Sequence, residues 1–506
     1  MRYLALVTLL LSTAASAFAL TAEARYTHGV FYKGLIRQPV LQLKVTGEPG
    51  EKIKSITFTP GETSKPADIK MVRLSSRADW NGYTFNTSNY IYENAKGKFS
   101  KGQITFHHEY ELGSEPLCIW LSYDLSPSVK RNSKIDAVCT AITTTTGEVV
   151  EPKIILAEGL EERKIARAYR FPYRVVPYYR PSWVKGWGNA EKAVHLTPEH
   201  FNLFTDLIHF AYSVSAEGGV TYQWAGGGTS DQEVADGALK EIKRLHTAAK
   251  SRAKLIAGFG HMDGSMTTAV ADPHTRRVMA RNMAHWAISR GYEGIDIDWE
   301  YPDTEADWKN FGFFIADLRE ELSGSGISIS IASSVGYKTP TFWVTDQLDF
   351  IMTMSYDDLT PDNHASMRLF QRDGNMCLNK FLMPKPKIVI GLPFYSNQKG
   401  TLTTQYGYAQ ILGWHPRIKP DVNEFVSKNQ DGTDGPVHTF NSPALITEKC
   451  RWAKENQFGG VMIWAYDTDV PLKHRASLGR AMFKVLRHRA WSVGSRLSLL
   501  WSAWCG

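Results

Sequence analysis

The second part of the chain repeats one pattern eight times: a short run rich in apolar and β-branched residues is followed by a segment long enough for a helix. Strands that alternate with helices pair in parallel, and eight such units close into a (β/α)8 TIM barrel. Catalytic side chains in such a barrel lie where the strands end, so we expect the functional residues there. The runs cover residues 175–179, 207–212, 254–259, 294–299, 327–332, 348–355, 388–394 and 459–465.

The first part of the chain has a different rhythm, which predicts a separate all-β sandwich over residues 26–155. Short β-rich runs alternate with Gly-rich breaks such as Gly47-Glu48-Pro49-Gly50, and no helical periodicity occurs. A charged segment, residues 158–167, leads to the barrel, which is predicted over residues 170–488. The pattern as a whole therefore predicts a multidomain protein.

One phrase in this first part resembles a known domain. The run Leu-Cys-Ile-Trp-Leu-Ser-Tyr-Asp-Leu-Ser-Pro at residues 117–127, with Ser-Lys-Ile-Asp-Ala at residues 133–137, is similar to the β-sandwich at the N-terminus of some bacterial sialidases. The resemblance implies a carbohydrate-binding or positioning module. A spacer that shields the flank of the barrel fits the same pattern, and both interpretations stay open.

Both termini carry segments outside the two predicted domains. Residues 1–19 predict an export signal, because Arg2 precedes an apolar run at 4–11 and small residues follow at a cleavage site. A run of that length is too short to span a bilayer stably. We therefore expect a secreted or periplasmic protein without a membrane span. The tail, residues 489–506, shows no pattern that predicts a role.

Charge and cysteine content exclude several classes of function. The formal net charge of +7 is spread along the chain rather than clustered, which argues against nucleic-acid binding. No Cys or His group has the spacing of a zinc site, so we expect neither a metal nor a cofactor. We expect the protein to be a monomer. Cys118 and Cys139 lie in neighbouring runs where pairing is possible. Cys377 and Cys450 are either a second pair or two buried thiols.

The fourth run ends in a row of acidic residues with a period of two. Asp296, Asp298 and Glu300 alternate with apolar residues, so they point to one face of the strand about 7 Å apart. Carboxyl groups that point into a barrel core are costly unless they share protons and hydrogen bonds. We expect Glu300, at the strand's end, to keep a raised pKa and act as an acid. Asp298 would pass charge along the row, and Asp296 would lie deepest.

This row resembles the Asp-Gly-x-Asp-x-Asp-x-Glu signature of glycoside hydrolase family 18. The first Asp of the signature is Glu293 here, at the start of the strand, where we expect the change to be tolerated. Two further strand ends resemble family motifs. Met354-Ser355-Tyr356-Asp357 matches Met-x-Tyr-Asp at the end of the sixth run, and Trp464 lies in the eighth run, where the family places the floor of its sugar site.

Two other strand ends match the family less closely. Tyr178-Tyr179-Arg180-Pro181-Ser182-Trp183 resembles the family's Tyr-Tyr-Pro-x-Trp, with Arg180 inserted. Gly258-Phe259-Gly260-His261 stands where the family has Ser-x-Gly-Gly. The resemblance covers residues 173–486.

The resemblance implies substrate-assisted catalysis with retention of configuration, a known exception to the two-carboxylate scheme. Glu300 would be the proton donor, while the 2-acetamido oxygen of the sugar attacks the anomeric carbon. Asp298, with Asp296 below it, would stabilise the resulting ion, and Tyr356 would align the acetamido group. Asp357 and Trp464 would hold the sugar. The further candidates for substrate binding are Met354, Tyr178, Tyr301, Tyr395 and Trp183.

The favoured substrate is a polymer of β-1,4-linked N-acetylglucosamine, as for a chitinase. Within the same class, the alternatives are an endo-β-N-acetylglucosaminidase that acts on glycoprotein glycans and an enzyme that acts on peptidoglycan. A catalytically weak chitin-binding lectin is the alternative outside that class, although such relatives typically lose the terminal Glu of the row. The segment between Phe394 and Gly459 shows little strand character, which predicts a shallow, open groove and endo action.

Overall fold

The computed structural model describes fourteen stretches of the chain, and these carry every structural statement that follows. The predicted export signal, the C-terminal tail and Trp183 lie outside them. Among the residues described, no helix is both long and apolar enough to cross a membrane. The stretches are residues 20–26, 31–34, 38–77, 92–155, 166–169, 173–180, 196–222, 229–261, 264–335, 342–359, 363–380, 383–402, 404–429 and 431–486.

The N-terminal part of the described chain is rich in strands, as predicted. A six-stranded sheet has the order β13-β1-β3-β9-β5-β6, and a second sheet has the order β12-β11-β4-β7 with β8 beside β4. Strands β10, β14 and β2 form a third, small sheet. The strands are β1 Thr21–Tyr26, β2 Phe31–Tyr32, β3 Gln38–Thr46, β4 Lys52–Thr59, β5 Ile69–Arg77, β6 Tyr92–Gly97, β7 Ile104–Phe106, β8 Tyr110–Glu111, β9 Leu117–Leu125, β10 Lys134–Ile135, β11 Val138–Thr144, β12 Val149–Val150, β13 Lys153–Ile155 and β14 Ala166–Tyr169.

One buried apolar cluster joins the two larger sheets. Leu43 and Leu121 contribute to it from the six-stranded sheet, and Phe58 and Ile142 from the other. The cluster ends at Ala168, so this part of the chain has a core of its own among the residues described.

The cysteine pairings considered from sequence do not occur. Cys118 lies on β9 and Cys139 on β11, which belong to different sheets; both residues are buried and no disulfide joins them. Cys118 instead accepts a hydrogen bond from the amide of Gln42 at 3.1 Å. Cys377 and Cys450 are free and buried, in agreement with the second of the two interpretations.

The predicted barrel is present. Eight parallel strands follow one another in the order β15-β27-β22-β21-β20-β19-β18-β16, and pairing of β15 with β16 closes the ring. The eight strands correspond to the eight predicted runs. They are β15 Arg174–Tyr179, β16 Asp206–Val214, β18 Lys254–His261, β19 Gly294–Trp299, β20 Ser328–Ser333, β21 Phe350–Thr353, β22 Ile388–Pro393 and β27 Gly460–Trp464, with a short β17 Val220–Thr221 paired to β16.

Helices surround the strands, and several begin at side chains that cap their free backbone N–H groups. Asp272 accepts the N–H of Thr275, and Thr304 and Asp307 form a reciprocal capping box. Ser442 caps another helix in the same way. The helices are α1 Thr229–Ala248, α2 Ser265–Ala271, α3 Pro273–Ser289, α4 Glu305–Glu321, α5 Phe342–Gln347, α6 Met367–Lys380, α7 Tyr408–Trp414, α8 Pro443–Glu455 and α9 Leu478–Leu486, with short 3-10 turns at Pro66–Asp68, His200–Asn202, Lys385–Lys387 and Tyr466–Thr468.

Side chains of the barrel strands divide into two apolar layers. One faces the helices, where Trp299 packs against Phe311 with the ring centroids 5.2 Å apart. The other fills the barrel interior and includes Tyr178, Phe210 and Met462. Because side chains alternate along each strand, every strand contributes to the interior with every second residue. The acidic side chains of β19 belong to the set that faces the barrel interior.

A four-stranded antiparallel sheet lies between β22 and β27, so the prediction of little strand character there is wrong. Its order is β24-β23-β26-β25, and the strands are β23 Tyr395–Gln398, β24 Gln405–Gly407, β25 Glu424–Lys428 and β26 Asp434–Thr439. The strands are short and polar, and aromatic rings and His438 rather than β-branched residues make the packed face. Their sequence therefore lacks the usual strand pattern. The shallow groove inferred from the missing sheet loses its basis.

Candidate active site

Asp296 is the deepest member of the acidic row and is completely buried. The hydroxyl of Tyr178 donates to one carboxyl oxygen at 2.5 Å, and the hydroxyl of Ser330 donates to the other at 2.7 Å. Burial nevertheless raises the pKa of Asp296 to about 6, because these hydrogen bonds offset only part of the lost hydration. Tyr178 is fully buried as well, so it supports Asp296 from below instead of facing an open site.

Asp298 lies between the two other carboxyls and is almost completely buried. Its pKa is raised well above the ordinary value, first by burial and then by the charges of Glu300 and Asp296. Its Oδ1 atom has no hydrogen-bond partner among the described residues. A carboxyl with a raised pKa and no partner at Oδ1 can turn toward a new partner without breaking a hydrogen bond at that atom.

Glu300 is the first residue after β19, where the row reaches the end of the barrel. It is only partly buried. Burial raises its pKa, the charge of Asp357 adds to the rise, and a hydrogen bond from Tyr301 opposes it. Glu300 therefore presents a carboxyl with a raised pKa at the exposed end of the row.

Tyr356 follows β21 and faces the same opening. Its pKa is raised well above the ordinary value, mainly by burial and next by the charges of Asp298 and Asp357, so it is a neutral hydroxyl donor. Tyr301 has a raised pKa for the same reasons, burial first and the charge of Glu300 second. Two neutral phenols therefore stand beside the acidic row.

Asp357 is held by three donors that converge on its Oδ1 atom. The hydroxyl of Tyr395 donates at 2.6 Å, the amide of Asn397 at 2.5 Å, and Nδ1 of His364 lies 3.2 Å away. The backbone of Asp357 has a φ of +62°, an uncommon conformation for a residue with a side chain. Its carboxyl is one-third exposed, so it reaches the opening while its orientation is fixed.

Sequence reasoning found Asp357 and Tyr395 but missed His364 and Asn397. Asn397 is two residues beyond Tyr395 on β23 and therefore shares its face, a signal that the unrecognised sheet concealed. His364 belongs to no motif, and nothing in the sequence near it pointed to Asp357.

Trp464 ends β27 and is partly exposed. The rings of Tyr178 and Phe210 pack against its indole in T-shaped pairs, with centroid distances of 5.1 and 5.2 Å. Met354 packs on the same interior cluster, also partly exposed. Trp464 and Met354 thus lie at the mouth of the barrel with Glu300 and Tyr356. His261 ends β18 beside Trp299, and its side chain is outside the described residues.

Glu293, the departure from the acidic signature, lies at the opposite end of β19 from Glu300. It is exposed, and its carboxyl accepts the backbone N–H of Leu255 at 3.4 Å. The changed position is therefore remote from the opening. Among the described residues, no group of three or more His, Cys, Asp or Glu could hold a metal ion.

A parallel barrel whose mouth brings together buried carboxyls with raised pKa values and an aromatic residue has the architecture of a barrel enzyme. Residues 174–469 match the family model described as Glycosyl hydrolases family 18. This match covers more than half of the chain, so the protein belongs to that family.

The relatives of this chain include named chitinases. It is 25% identical over 284 residues to "Probable chitinase 2" of Drosophila melanogaster, covering 45% of this chain and 58% of that protein. It is 24% identical over 322 residues to "Chitinase 1" of Aphanocladium album, covering 54% of this chain and 75% of that protein. The chain thus spans little more than half the length of the Drosophila relative.

Solved structures show the same fold. A chitinase from Bacteroides thetaiotaomicron superposes with a TM-score of 0.50 at 21% identity, covering 63% of this chain and 99% of that one. The match supports the barrel architecture.

Proposed function

We propose that the protein hydrolyses chains of β-1,4-linked N-acetylglucosamine, with Glu300 as the proton donor and the substrate's own acetamido group as the nucleophile. One observation carries the proposal: Asp298 is buried between two carboxyls that raise its pKa, and its Oδ1 has no hydrogen-bond partner among the described residues. This is the environment that a carboxyl needs in order to act on a neighbouring group rather than ionise in water.

In the first step, Glu300 gives its proton to the oxygen of the glycosidic bond as that bond breaks. The acetamido carbonyl oxygen bonds to the anomeric carbon and closes a cyclic oxazolinium ion. Asp298 accepts the acetamido N–H, and Tyr356 donates its hydroxyl to the acetamido oxygen and aligns it for attack. In the second step, water attacks the same carbon, Glu300 takes the proton from that water, and the ring reopens to the free acetamido group.

The remaining groups hold the sugar. Asp357, fixed through its Oδ1, presents a carboxyl to sugar hydroxyls, and Trp464 offers a flat apolar surface to the sugar ring. Tyr301 and Met354 border the opening. Tyr395 and Tyr178 act by holding Asp357 and Asp296 rather than by touching the sugar.

The substrate class is favoured by the relatives, which are named as chitinases. Within the class, glycoprotein glycans and peptidoglycan are the alternatives, since both contain N-acetylglucosamine. A lectin without activity is disfavoured because Glu300 is present with a raised pKa at the exposed end of the row.

Two further proposals concern the rest of the chain. Residues 1–19 direct export to the periplasm or the exterior. Residues 26–155 form a β-sandwich that binds or positions the polymer, or shields the barrel. The shared apolar cluster of the two larger sheets supports the sandwich arrangement.

The test is a comparison of products from chitin oligomers, an N-glycoprotein, peptidoglycan and fully deacetylated chitosan, side by side. Shortened oligomers from chitin, with no release from chitosan, are expected because only acetylated sugars carry the nucleophile. Release of intact glycans from the glycoprotein alone would favour the first alternative. Cleavage of chitosan would refute the role of the acetamido group, and binding of chitin oligomers without cleavage would favour the lectin.

A further inference from the structure

Arg180, the residue inserted in the motif of the first strand, is buried directly after β15, with only 4% of its surface exposed. Its Nε and Nη2 atoms donate to the two carboxyl oxygens of Asp467 at 3.2 and 2.9 Å. This is a bidentate ion pair with two parallel hydrogen bonds, which is the geometry that the planar guanidinium favours. A charged pair buried so fully needs such geometry to offset its lost hydration.

The same guanidinium also contacts Trp464. Its central carbon is 5.0 Å from the centroid of the indole ring, within the range of a cation–π interaction. Asp467 lies three residues after Trp464, in the 3-10 turn Tyr466–Thr468. Strands β15 and β27 are neighbours in the barrel, so Arg180 joins the ends of the first and last strands at the residue proposed to carry the sugar.

We propose that Arg180 is a positioning residue that fixes the ring plane of Trp464 at the mouth of the barrel. The inference rests on the proposed function, because it takes Trp464 as the surface on which the sugar lies. Tyr178 and Phe210 contact the indole from the barrel interior. Arg180 contacts both the ring and the turn that follows Trp464, and thereby limits rotation of the ring.

Charge balance explains why Asp467 accompanies Arg180. The proposed reaction passes through a cationic oxazolinium ion, which an unpaired guanidinium nearby would disfavour. Asp467 neutralises the guanidinium without filling the site. Lys in place of Arg180 would retain the charge but lose the planar, two-pronged contact.

The chain offers a closely matched control. Arg276, on α3, is also buried, bonds through Nε to Asp317 at 2.7 Å and lies 5.1 Å from the ring centroid of Phe313. It belongs to the outer helices, and within the described part of the chain its guanidinium contacts Asp317 and Phe313, away from the acidic row and Trp464. Loss of either pair removes a similar set of interactions, but only one pair touches the proposed sugar surface.

The test compares the paired variants Arg180→Met/Asp467→Asn and Arg276→Met/Asp317→Asn, each of which removes both charges so that no buried charge is left alone. Affinity for chitotetraose is measured calorimetrically in a Glu300→Gln background, and kcat and KM are measured in the active enzyme. We expect the variant Arg180→Met/Asp467→Asn to bind chitotetraose about tenfold more weakly, which is the scale of one desolvated cation–π contact. Arg180→Lys should give an intermediate affinity. The control variant Arg276→Met/Asp317→Asn should have a lower Tm but an unchanged affinity and KM.

A double-mutant cycle with Trp464→Phe then tests the route of the effect. The loss caused by removing the Arg180 pair should shrink to less than twofold when the indole is absent. A loss of affinity that persists in full in the Trp464→Phe background would overturn the proposal. Removal of the Arg180–Asp467 pair that lowers Tm but leaves affinity unchanged would also overturn it. If the wild-type protein neither binds nor cleaves the oligosaccharide, the proposed function fails. The near-UV circular dichroism of Trp464 then decides the inference: a change on removing the Arg180 pair that vanishes in Trp464→Phe supports it, and an unchanged spectrum refutes it.

Discussion

At the scale of single residues, two glutamates at the two ends of β19 differ only in their surroundings. Glu293 is exposed before the strand, and Glu300 is half-buried after it with a raised pKa. We expect Glu300→Gln to lower kcat by a factor on the order of 10² to 10⁴, because it removes the proposed proton donor and little else. Rates on chitotetraose, with Tm as the measure of folding, test this.

Glu293→Gln is the matched control, since Gln keeps an acceptor for the N–H of Leu255. Its kcat should equal that of the wild type. Near-normal turnover in Glu300→Gln would remove Glu300 from the mechanism.

Asp296 gives a prediction on pH and stability. Its carboxyl keeps a proton up to about pH 6 in the folded protein, whereas an unfolded Asp ionises near pH 4. The folded state is therefore favoured below about pH 4 and loses that advantage as the pH rises to about 6, by about 3 kcal/mol for two pH units between the pKa values.

Asp296→Asn has no such proton to hold, so its Tm relative to the wild type should rise between pH 4 and pH 7. Thermal melts of both proteins across this range measure the difference. Parallel curves would show that burial does not raise the pKa of Asp296.

The residues that the sequence predicted are those with a regular spacing. The acidic row follows from the period of two along a strand, and Tyr356, Asp357 and Trp464 follow from the resemblance of their strand ends to family motifs. His364 and Asn397 reach Asp357 from a loop and from an inserted sheet, and contacts between such distant segments depend on tertiary packing.

At the scale of elements, β22 packs close to the strand before it through Gly391. A Cβ atom there would overlap the carbonyl oxygen of Thr353 and lie 3.0 Å from a ring carbon of Tyr356. We therefore expect Gly391→Ala to destabilise the protein by about 1–3 kcal/mol and to lower kcat by displacing Tyr356. Tm and rates on chitotetraose measure both effects.

Gly237, in α1, is the control for this change, because a Cβ there meets no atom within 4 Å. Gly237→Ala should stabilise the protein by about 0.5–1 kcal/mol, as helix propensity predicts, with no change in kcat. Wild-type turnover and Tm in Gly391→Ala would mean that the strand tolerates a side chain there.

The eight barrel strands were predictable because buried parallel strands are continuous apolar runs. The sheet β23–β26 was not, because its strands are short and partly exposed and its packed face uses aromatic and histidine rings. The prediction that Cys118 and Cys139 could pair was wrong because their strands, β9 and β11, are close in sequence but lie in different sheets.

At the scale of the whole molecule, the described residues form three buried apolar clusters, and none combines residues from before and after residue 170. We therefore expect a protein that begins at residue 170 to fold and to cleave chitotetraose at close to the full-length rate. Adsorption to insoluble chitin distinguishes the two roles of the N-terminal region.

Reduced adsorption of the shortened protein would identify a binding module, and equal adsorption a spacer. A folded barrel without activity on the soluble oligomer would contradict the independence of the two parts, and would place part of the active site in residues 26–155.

The central claim is that the substrate supplies its own nucleophile to an acidic row that ends in Glu300. Two displacements at one carbon return the β configuration, whereas a single attack by water inverts it. Proton NMR during the first minutes of chitin-oligomer hydrolysis shows which anomer forms before the anomers equilibrate. The account predicts that the β anomer appears first; initial release of the α anomer would contradict it and require the roles of Asp298, Glu300 and Tyr356 to be abandoned.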